Sequence, residues 1–351
     1  MSDLHDAVKN YYGKELSQSE DLKTNACCTI EEPPRHIKNA LINIHDEVMS
    51  KYYGCGLTIP DKLRDLTILD LGSGSGRDVY LASQLVGEGG QAIGVDMTEE
   101  QLDVANKHID YHTEKFGYKT SNVKFIKGNI DRLDELGLEE GSIDIIISNC
   151  VINLVEDKNK VLADAYKLLK KGGEMYFSDV YSDRRVPEHL RKHEVLWGEC
   201  LSGAMYWNDF LISAKNAGFT DPRSTENHPI TIENEALEEL VGNIKFFSVT
   251  YRLFKIDGLE NDCEDYGQAV AYKGGIENTE NVFHLDDHHM FERGKIESVC
   301  GNTYKMLFDT RYKDHFDFYG SWDVHYGIFE GCGGAMPFDT TTNSTDAKNC
   351  C

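Results

Sequence analysis

"TILDLGSGSGRD", residues 67–78, runs from a short apolar, β-rich segment through three glycines into a charged pair that can open a helix. Gly72, Gly74 and Gly76 fall between strand and helix, where a backbone without Cβ can turn tightly and approach a ligand. The dinucleotide fingerprint G-x-G-x-x-G fails here, because Arg77 stands at its last position. No GxxxxGK[ST] phosphate loop occurs either. The turn therefore suits a ligand that lacks a pyrophosphate.

Outward from this loop, β-rich runs alternate with helical patterns. A helix is predicted from Arg77 to about Val86, followed by a strand in "QAIGVDM" (91–97). The next helix (98–117) is opened by Thr98 with Gln101 three residues on, the capping-box spacing. "NVKFIKGN" (122–129), "IDIIISNC" (143–150) and "GEMYFSDV" (173–180) complete the strands, with a helix at 158–169 between the last two. Such alternation implies a parallel sheet covered on both faces. After Pro187 the pattern changes to helices (188–201, 208–218), then to short strands at 246–256, 267–275 and 282–299, and a helical 302–316. The expected division is an arm over 1–60 and an α/β domain over 61–223 that includes a helical segment at 184–217. A smaller α+β unit follows over 224–330. The tail, 331–351, is expected to be disordered, being Gly, Thr, Asn and Ser with little to bury.

The chain has 351 residues, with 36 basic against 60 acidic side chains and a net charge of −24. That balance opposes binding to nucleic acid or an anionic membrane surface. No apolar run approaches the roughly 18 residues of a membrane span, and the N-terminus lacks a secretory h-region. A cytosolic monomer is expected, so the ten cysteines read as free thiols, ligands or redox groups rather than a disulfide framework.

Asp96 ends the second strand, where a carboxylate can accept hydrogen bonds from both ribose hydroxyls of a nucleoside. Met97 can pack on an adenine face, with Asn129 and Ile130 beside it at the end of the third strand. Asp70 precedes the glycines, Ser73 lies among them, and Asn149 ends the fourth strand. This arrangement resembles class I S-adenosylmethionine-dependent methyltransferases. The resemblance implies S-adenosylmethionine as cofactor and a Rossmann-like seven-stranded α/β sheet with helices on both faces.

Four cysteine stretches sharpen it: "LKTNACCT" (22–29), "YYGCG" (52–56), "SNCVINLV" (148–155) and "LWGECLSGAMYW" (196–207). With the glycine loop and "EMYFSDVY" (174–181), they resemble the motifs of arsenite S-adenosylmethionine methyltransferases. The resemblance runs from about residue 1 to 330 and is densest from 22 to 207. By motif, Cys55, Cys150 and Cys200 match the family's arsenic-binding thiols, and Cys27 its N-terminal redox cysteine. Tyr53 would lie against the substrate. Cys28 departs from the family pattern and leaves open whether Cys27 or Cys28 pairs with Cys55. Also implied are arsenite and methylarsenite as thiol conjugates, an external reductant of the thioredoxin or glutathione type, and no structural metal. The chemistry agrees, since soft thiolates select a soft centre. Three convergent thiols leave the arsenic lone pair free as a nucleophile.

Two other readings compete: a methyltransferase of the same fold acting on an organic acceptor, and a non-catalytic arsenic-sequestering thiol protein. Cys263, Cys300 and Cys332 match no motif and read as structural or surface thiols, and the pair Cys350–Cys351 as part of a solvated tail. "HLDDHH" (284–289) reads as a polar strand in which His284 and His288 share one face and His289 the other.

Overall fold

The computed structural model describes residues 33–332 apart from 53, 55, 194–195, 198–199 and 233. Cys27, Cys28, Tyr53, Cys55 and the tail from 333 therefore lie outside the described residues. Two short helices, α1 (Arg35–Leu41) and α2 (Asp46–Met49), precede the first strand, β1 (Thr67–Leu71). Four more strands follow in parallel: β2 (Gln91–Asp96), β3 (Val123–Lys127), β4 (Ile143–Asn149) and β5 (Leu169–Ser182).

Side-chain alternation in these strands supplies both faces of the sheet. In β1, Ile68 joins Val79, Ala82 and Val86 of α3 (Arg77–Val86) on one face. Leu69 and Leu71 join Val161, Leu162 and Ala165 of α6 (Lys158–Leu168) on the other. β4 divides the same way, Ile145 and Ile147 against Ile143 and Ile146. A period of two with apolar residues on both faces is the signature of a central parallel strand. The predicted Rossmann-like α/β sheet is observed.

The chain leaves β1 toward β2 and β3, then returns to place β4 on the other side of β1. That reversal opens a crevice beyond the carboxyl ends of β1 and β4, where open α/β sheets bind ligands. The predicted helix at 98–117 is interrupted at His108, giving α4 (Glu99–Lys107) and α5 (Ile109–Lys115). Thr98 does not cap α4 with its side chain. Its hydroxyl and its N–H are both given to the Asp96 carboxylate instead.

Beyond β5 come α7 (Glu188–Arg191), the two-residue β6 (Met205–Tyr206) and α8 (Trp207–Ala217). β7 (Arg223–Pro229), α9 (Glu235–Val241) and β8 (Phe246–Phe254) follow. The sheet order is β3-β2-β1-β4-β5-β8-β7, with β6 paired to β5 as an eighth strand. Here the structure differs from the expected boundary at 224. β8 runs antiparallel along β5 from Ser182↔Phe246 to Glu174↔Phe254, so it extends the main sheet. An alternating strand pattern does not say which edge it will join.

The smaller unit is built on β10 (Gln268–Tyr272), flanked by β13 (Ile296–Val299) and β14 (Phe316–Tyr319). It includes β9 (Glu264–Asp265) paired to β15 (Gly327–Ile328), and α10 (Gly301–Phe308). The histidine stretch is a hairpin here, β11 (Val282–His284) and β12 (Met290–Glu292), rather than one strand. Asp286 in its turn accepts from His289 at 2.7 Å, which turns that ring inward while His284 and His288 stay exposed. The buried Arg252 of β8 ties this unit to the sheet. Its Nε lies 2.7 Å from Glu174 Oε2, while its Nη1 and Nη2 donate to Leu285 O and to the Tyr312 hydroxyl. No helix among the described residues is long and apolar enough to cross a membrane.

Candidate active site

The crevice at the β1/β4 switch point is a cleft lined by Asp70, Gly72, Ser73, Gly74, Asp96, Met97, Asn129, Ile130, Asn149 and Cys150. Every sequence-predicted cofactor residue but Gly76 lines it. Gly74, at φ +50°, has no protein atom within 4 Å of where a Cβ would stand, so its bare Cα faces the open cleft. Gly76 serves the turn instead. At φ +90° it caps α3 and packs against the Phe125 ring on the far side of the loop.

Asp96 is already half committed. Its Oδ2 accepts from Gly74 N–H and its Oδ1 from Thr98 N–H, both at 2.8 Å, so the carboxylate shapes the glycine loop. Burial raises the Asp96 carboxyl above its ordinary range, opposed by those hydrogen bonds. Burial, then the charges of Asp78 and Asp96, raises Asp70 well above its own. Four carboxyl groups line the cleft, Asp70, Asp78, Asp96 and Asp131, against two basic side chains, Lys51 and Arg77, so the balance favours a cation.

Asn149 departs from the simple reading as a cofactor residue. Its Nδ2 donates to the Tyr52 hydroxyl at 2.6 Å and to Gly56 O at 2.7 Å, and its Oδ1 accepts from Gly56 N–H. The arm on either side of Cys55 is thereby clipped to the end of β4. A Cβ on Gly54 would fall 2.8 Å from the Asn149 side chain, and one on Gly56 would fall 2.7 Å from Ser178 Oγ. Small residues on both sides of Cys55 let this arm come so close. Arg77 closes the same corner, its guanidinium stacked 3.5 Å over the Tyr52 ring.

Cys150 lines the cleft and Cys200 stands behind it, and both are buried. Both take left-handed backbone conformations, φ 55° and 62°, which only five non-glycine residues adopt among those described. Such strain persists where the surroundings impose it and collects at functional sites. Cys200 Sγ donates to Cys150 O at 3.3 Å. The sulfurs of Cys150 and Cys200 and a carboxylate oxygen of Asp179 all lie within 4.8 Å of one another. Cys150 is disulfide-bonded, whereas Cys200 is in no disulfide. An apolar cluster that includes Leu154, Val180, Leu196 and Leu201 surrounds them, with Met97 against it.

Asp179 and Lys158 were not singled out in the sequence. Asp179 is buried and accepts from Asn153 N–H and Val180 N–H. Burial raises its carboxyl to about 6. Lys158 is brought down to about 8 by burial, partly offset by Asp179 and Cys200. Shifted groups of opposite sign beside two strained cysteines mark a functional cluster. A carboxyl raised by folding favours the native state below its unfolded value near 3.8, and that contribution is lost as pH rises through about 6. Asp179→Asn is therefore expected to gain stability relative to wild type on going from pH 4 to pH 7, by about 2–3 kcal/mol. Urea unfolding at the two pH values measures this, and a pH-independent difference would contradict it.

A nucleoside-binding loop, an acidic cleft and a switch-point crevice together define an S-adenosylmethionine-dependent methyltransferase. Residues 62–218 match the methyltransferase domain family, and 259–322 match a domain of unknown function. The arsenite methyltransferase of Aquipseudomonas alcaligenes is 56% identical over 348 residues, spanning 99% of this chain and 100% of that one. The human arsenite methyltransferase is 48% identical over 324 residues, 90% of this chain and 85% of the relative. The crystal structure of an arsenic(III) S-adenosylmethionine methyltransferase from Chlamydomonas reinhardtii superposes with a TM-score of 0.82 at 50% identity. It covers 85% of this chain and 100% of that one. The chain belongs to the arsenite methyltransferase family.

Proposed function

We propose that this chain methylates trivalent arsenic held on cysteine sulfurs, giving mono- and dimethylated arsenicals. The observation that carries the reading is the convergence of Cys150 and Cys200, both backbone-strained, where Cys150 lines the cofactor cleft. Cys55, which lies outside the described residues, is the third ligand by motif on this reading.

The cleft suits S-adenosylmethionine on its own terms. A bare glycine Cα faces the space, an aspartate carboxylate at the end of β2 lines it, and the carboxyl groups match a cationic ligand. When bound, the cofactor supplies an electrophilic methyl group on a sulfonium. The chain's residues then have separate tasks. Asp96 orients the ribose, the carboxyl groups offset the positive charge, and, once an external thiol has reduced the disulfide of Cys150, the thiols anchor arsenic with its lone pair toward the cleft. Because the lone pair carries no proton, the substrate needs no general base. The apolar wall around Cys150 and Cys200 excludes water, so positioning is the main contribution.

Asp96→Ala is expected to weaken S-adenosylmethionine binding by roughly 5- to 150-fold, equivalent to about 1–3 kcal/mol for lost buried hydrogen bonds. Gly74 and Thr98 lose their acceptor in the same step, so the effect belongs at the upper end. Calorimetric titration decides this, and unchanged affinity would mean that the loop holds another ligand.

Methylation formally removes two electrons from arsenic, so a pentavalent product must be reduced before the next round. A dithiol supplies them by closing to a disulfide, which an external thiol of the thioredoxin or glutathione type reopens. Cys55 with Cys27 or Cys28 is the motif-based pair on this reading. The experiment is turnover of pre-reduced enzyme without added thiol. It is expected to stall after about one cycle with a disulfide that involves Cys55. Multi-cycle turnover without thiol, or a stalled chain with Cys55 reduced, would overturn the recycling scheme.

A further inference from the structure

Cys263, Cys300 and Cys332 have no place in the cleft, yet the fold brings two of them together. Cys263 directly precedes β9, and Cys300 is the N-cap of α10. Asn302 holds the Glu260 backbone through its Nδ2 and Oδ1, both at 2.8 Å, and the Tyr266 ring packs on Gly301, so the segment that carries Cys263 lies against the start of α10, and both thiols are free. Cys300 is fully buried, with Arg223 Nη2 at 3.8 Å, Thr303 N–H at 3.5 Å and Thr303 Oγ1 at 3.3 Å from its sulfur. Arg223 is itself held by Asp221 at 2.6 Å and Asp286 at 3.1 Å, so its guanidinium is fixed in place.

These contacts favour one arrangement, a thiolate on Cys300 and a proton on Cys263. Cys263 is the largest influence on Cys300, followed by burial, which opposes it, and then Arg223; together they bring that thiol down to about 5. Cys300 in turn raises Cys263. A cysteine that only fills space is inert, because apolar burial raises its pKa. Cys300 is the reverse case. Cys263 is partly exposed, so the pair opens to solvent on that side. Beside it, the rings of Tyr266 and Trp322 flank Gly301, the residue after Cys300, and lie 4.8 Å apart.

We propose that Cys263 and Cys300 form a second dithiol site, separate from the cleft, for trivalent arsenicals of the type R–As(OH)2. The choice of arsenic as the thiophile rests on the activity proposed above, whereas the dithiol does not. The Cys300 thiolate displaces one hydroxide, which leaves as water with the proton of Cys263. The Cys263 sulfur displaces the second, which leaves as water with a proton from solvent. Two As–S bonds form and two As–O bonds break, and arsenic stays trivalent. Tyr266 and Trp322 offer an apolar wall to the organic substituent.

The test counts equivalents of phenylarsine oxide bound to the fully reduced, full-length chain by native mass spectrometry. Cys263→Ser and Cys300→Ser are each expected to bind one equivalent fewer than wild type, and the double variant also only one fewer. Cys332→Ser should bind as wild type does. Counts unchanged by Cys263→Ser, or falling by two in the double variant, would overturn the site. Cys263→Ser is the decisive variant because its position is partly exposed, and thermal melting of Cys300→Ser shows whether that chain still folds. Arsenite methylation by the same variants should stay within a few-fold of wild type. If wild type itself fails to methylate arsenite, the activity reading falls while the phenylarsine count still judges the dithiol.

Discussion

Cys200→Ser is expected to lower arsenite methylation by at least two orders of magnitude while leaving S-adenosylmethionine affinity within a few-fold of wild type. The sulfur of Cys200 lies within reach of Cys150 and Asp179 but is not part of the cleft wall that meets the cofactor. Loss of one thiol from a convergent set removes the effective-concentration advantage, worth roughly 10²–10⁴ in avidity. A hydroxyl cannot replace it, because oxygen is too hard a donor for trivalent arsenic. The substitution removes little volume, so the apolar cluster around it should hold. Cys150→Ser should behave alike on both arsenite and methylarsenite, since two thiols are the fewest that fill the coordination of a monomethyl arsenical. Steady-state rates with each arsenical, beside a cofactor titration of each variant, check this. Wild-type rates in either variant would return the organic-acceptor reading to first place.

Glu174→Ala should be the most destabilising single change outside the cleft, at about 3–5 kcal/mol. Glu174 is fully buried on β5 and meets Arg252 at 2.7 Å, with Arg311 on its other oxygen. Removing the carboxylate leaves the Arg252 guanidinium in the interior with Leu285 O and the Tyr312 hydroxyl as its hydrogen-bond acceptors among the described residues. The damage falls where the smaller unit meets the sheet, so both should loosen together. A drop of roughly 10 °C in melting temperature is expected. Replacing the pair with apolar residues of similar volume should restore much of the loss, because a buried ion pair contributes little net stability. A melting temperature unchanged by Glu174→Ala would show that the pair carries no such role.

Local chemistry was the legible part of this chain. The glycine loop and the aspartate that ends β2 could be read because a tight turn and a strand end are set by neighbouring residues. So could the two-sided core of β1 and β4, since a run apolar on both faces has few other uses. Cys150 and Cys200 stood out only through the motifs around them; nothing in their spacing foretold two left-handed cysteines facing one carboxylate. Asp179 and Lys158 were missed because what matters in them is burial, and burial is decided by segments far away in sequence. Gly76 looks like a ligand residue beside a ligand loop, yet packing gives it to the turn, while Asn149 lines the cleft and also holds the arm. The Cys263–Cys300 pair escaped notice for the same reason. One thiol precedes a two-residue strand, the other caps a helix, and only the folded C-terminal unit joins them.

The account stands or falls on whether arsenic is the methyl acceptor at the Cys150–Cys200 end of the cleft. The most direct measurement incubates the full chain with arsenite, methyl-labelled S-adenosylmethionine and a thiol, then resolves the arsenic species by chromatography. The account predicts label in mono- and then dimethylated arsenic, with neither formed by Cys200→Ser. Unmethylated arsenite after full incubation with wild type, or equal methylation by Cys200→Ser, would contradict it.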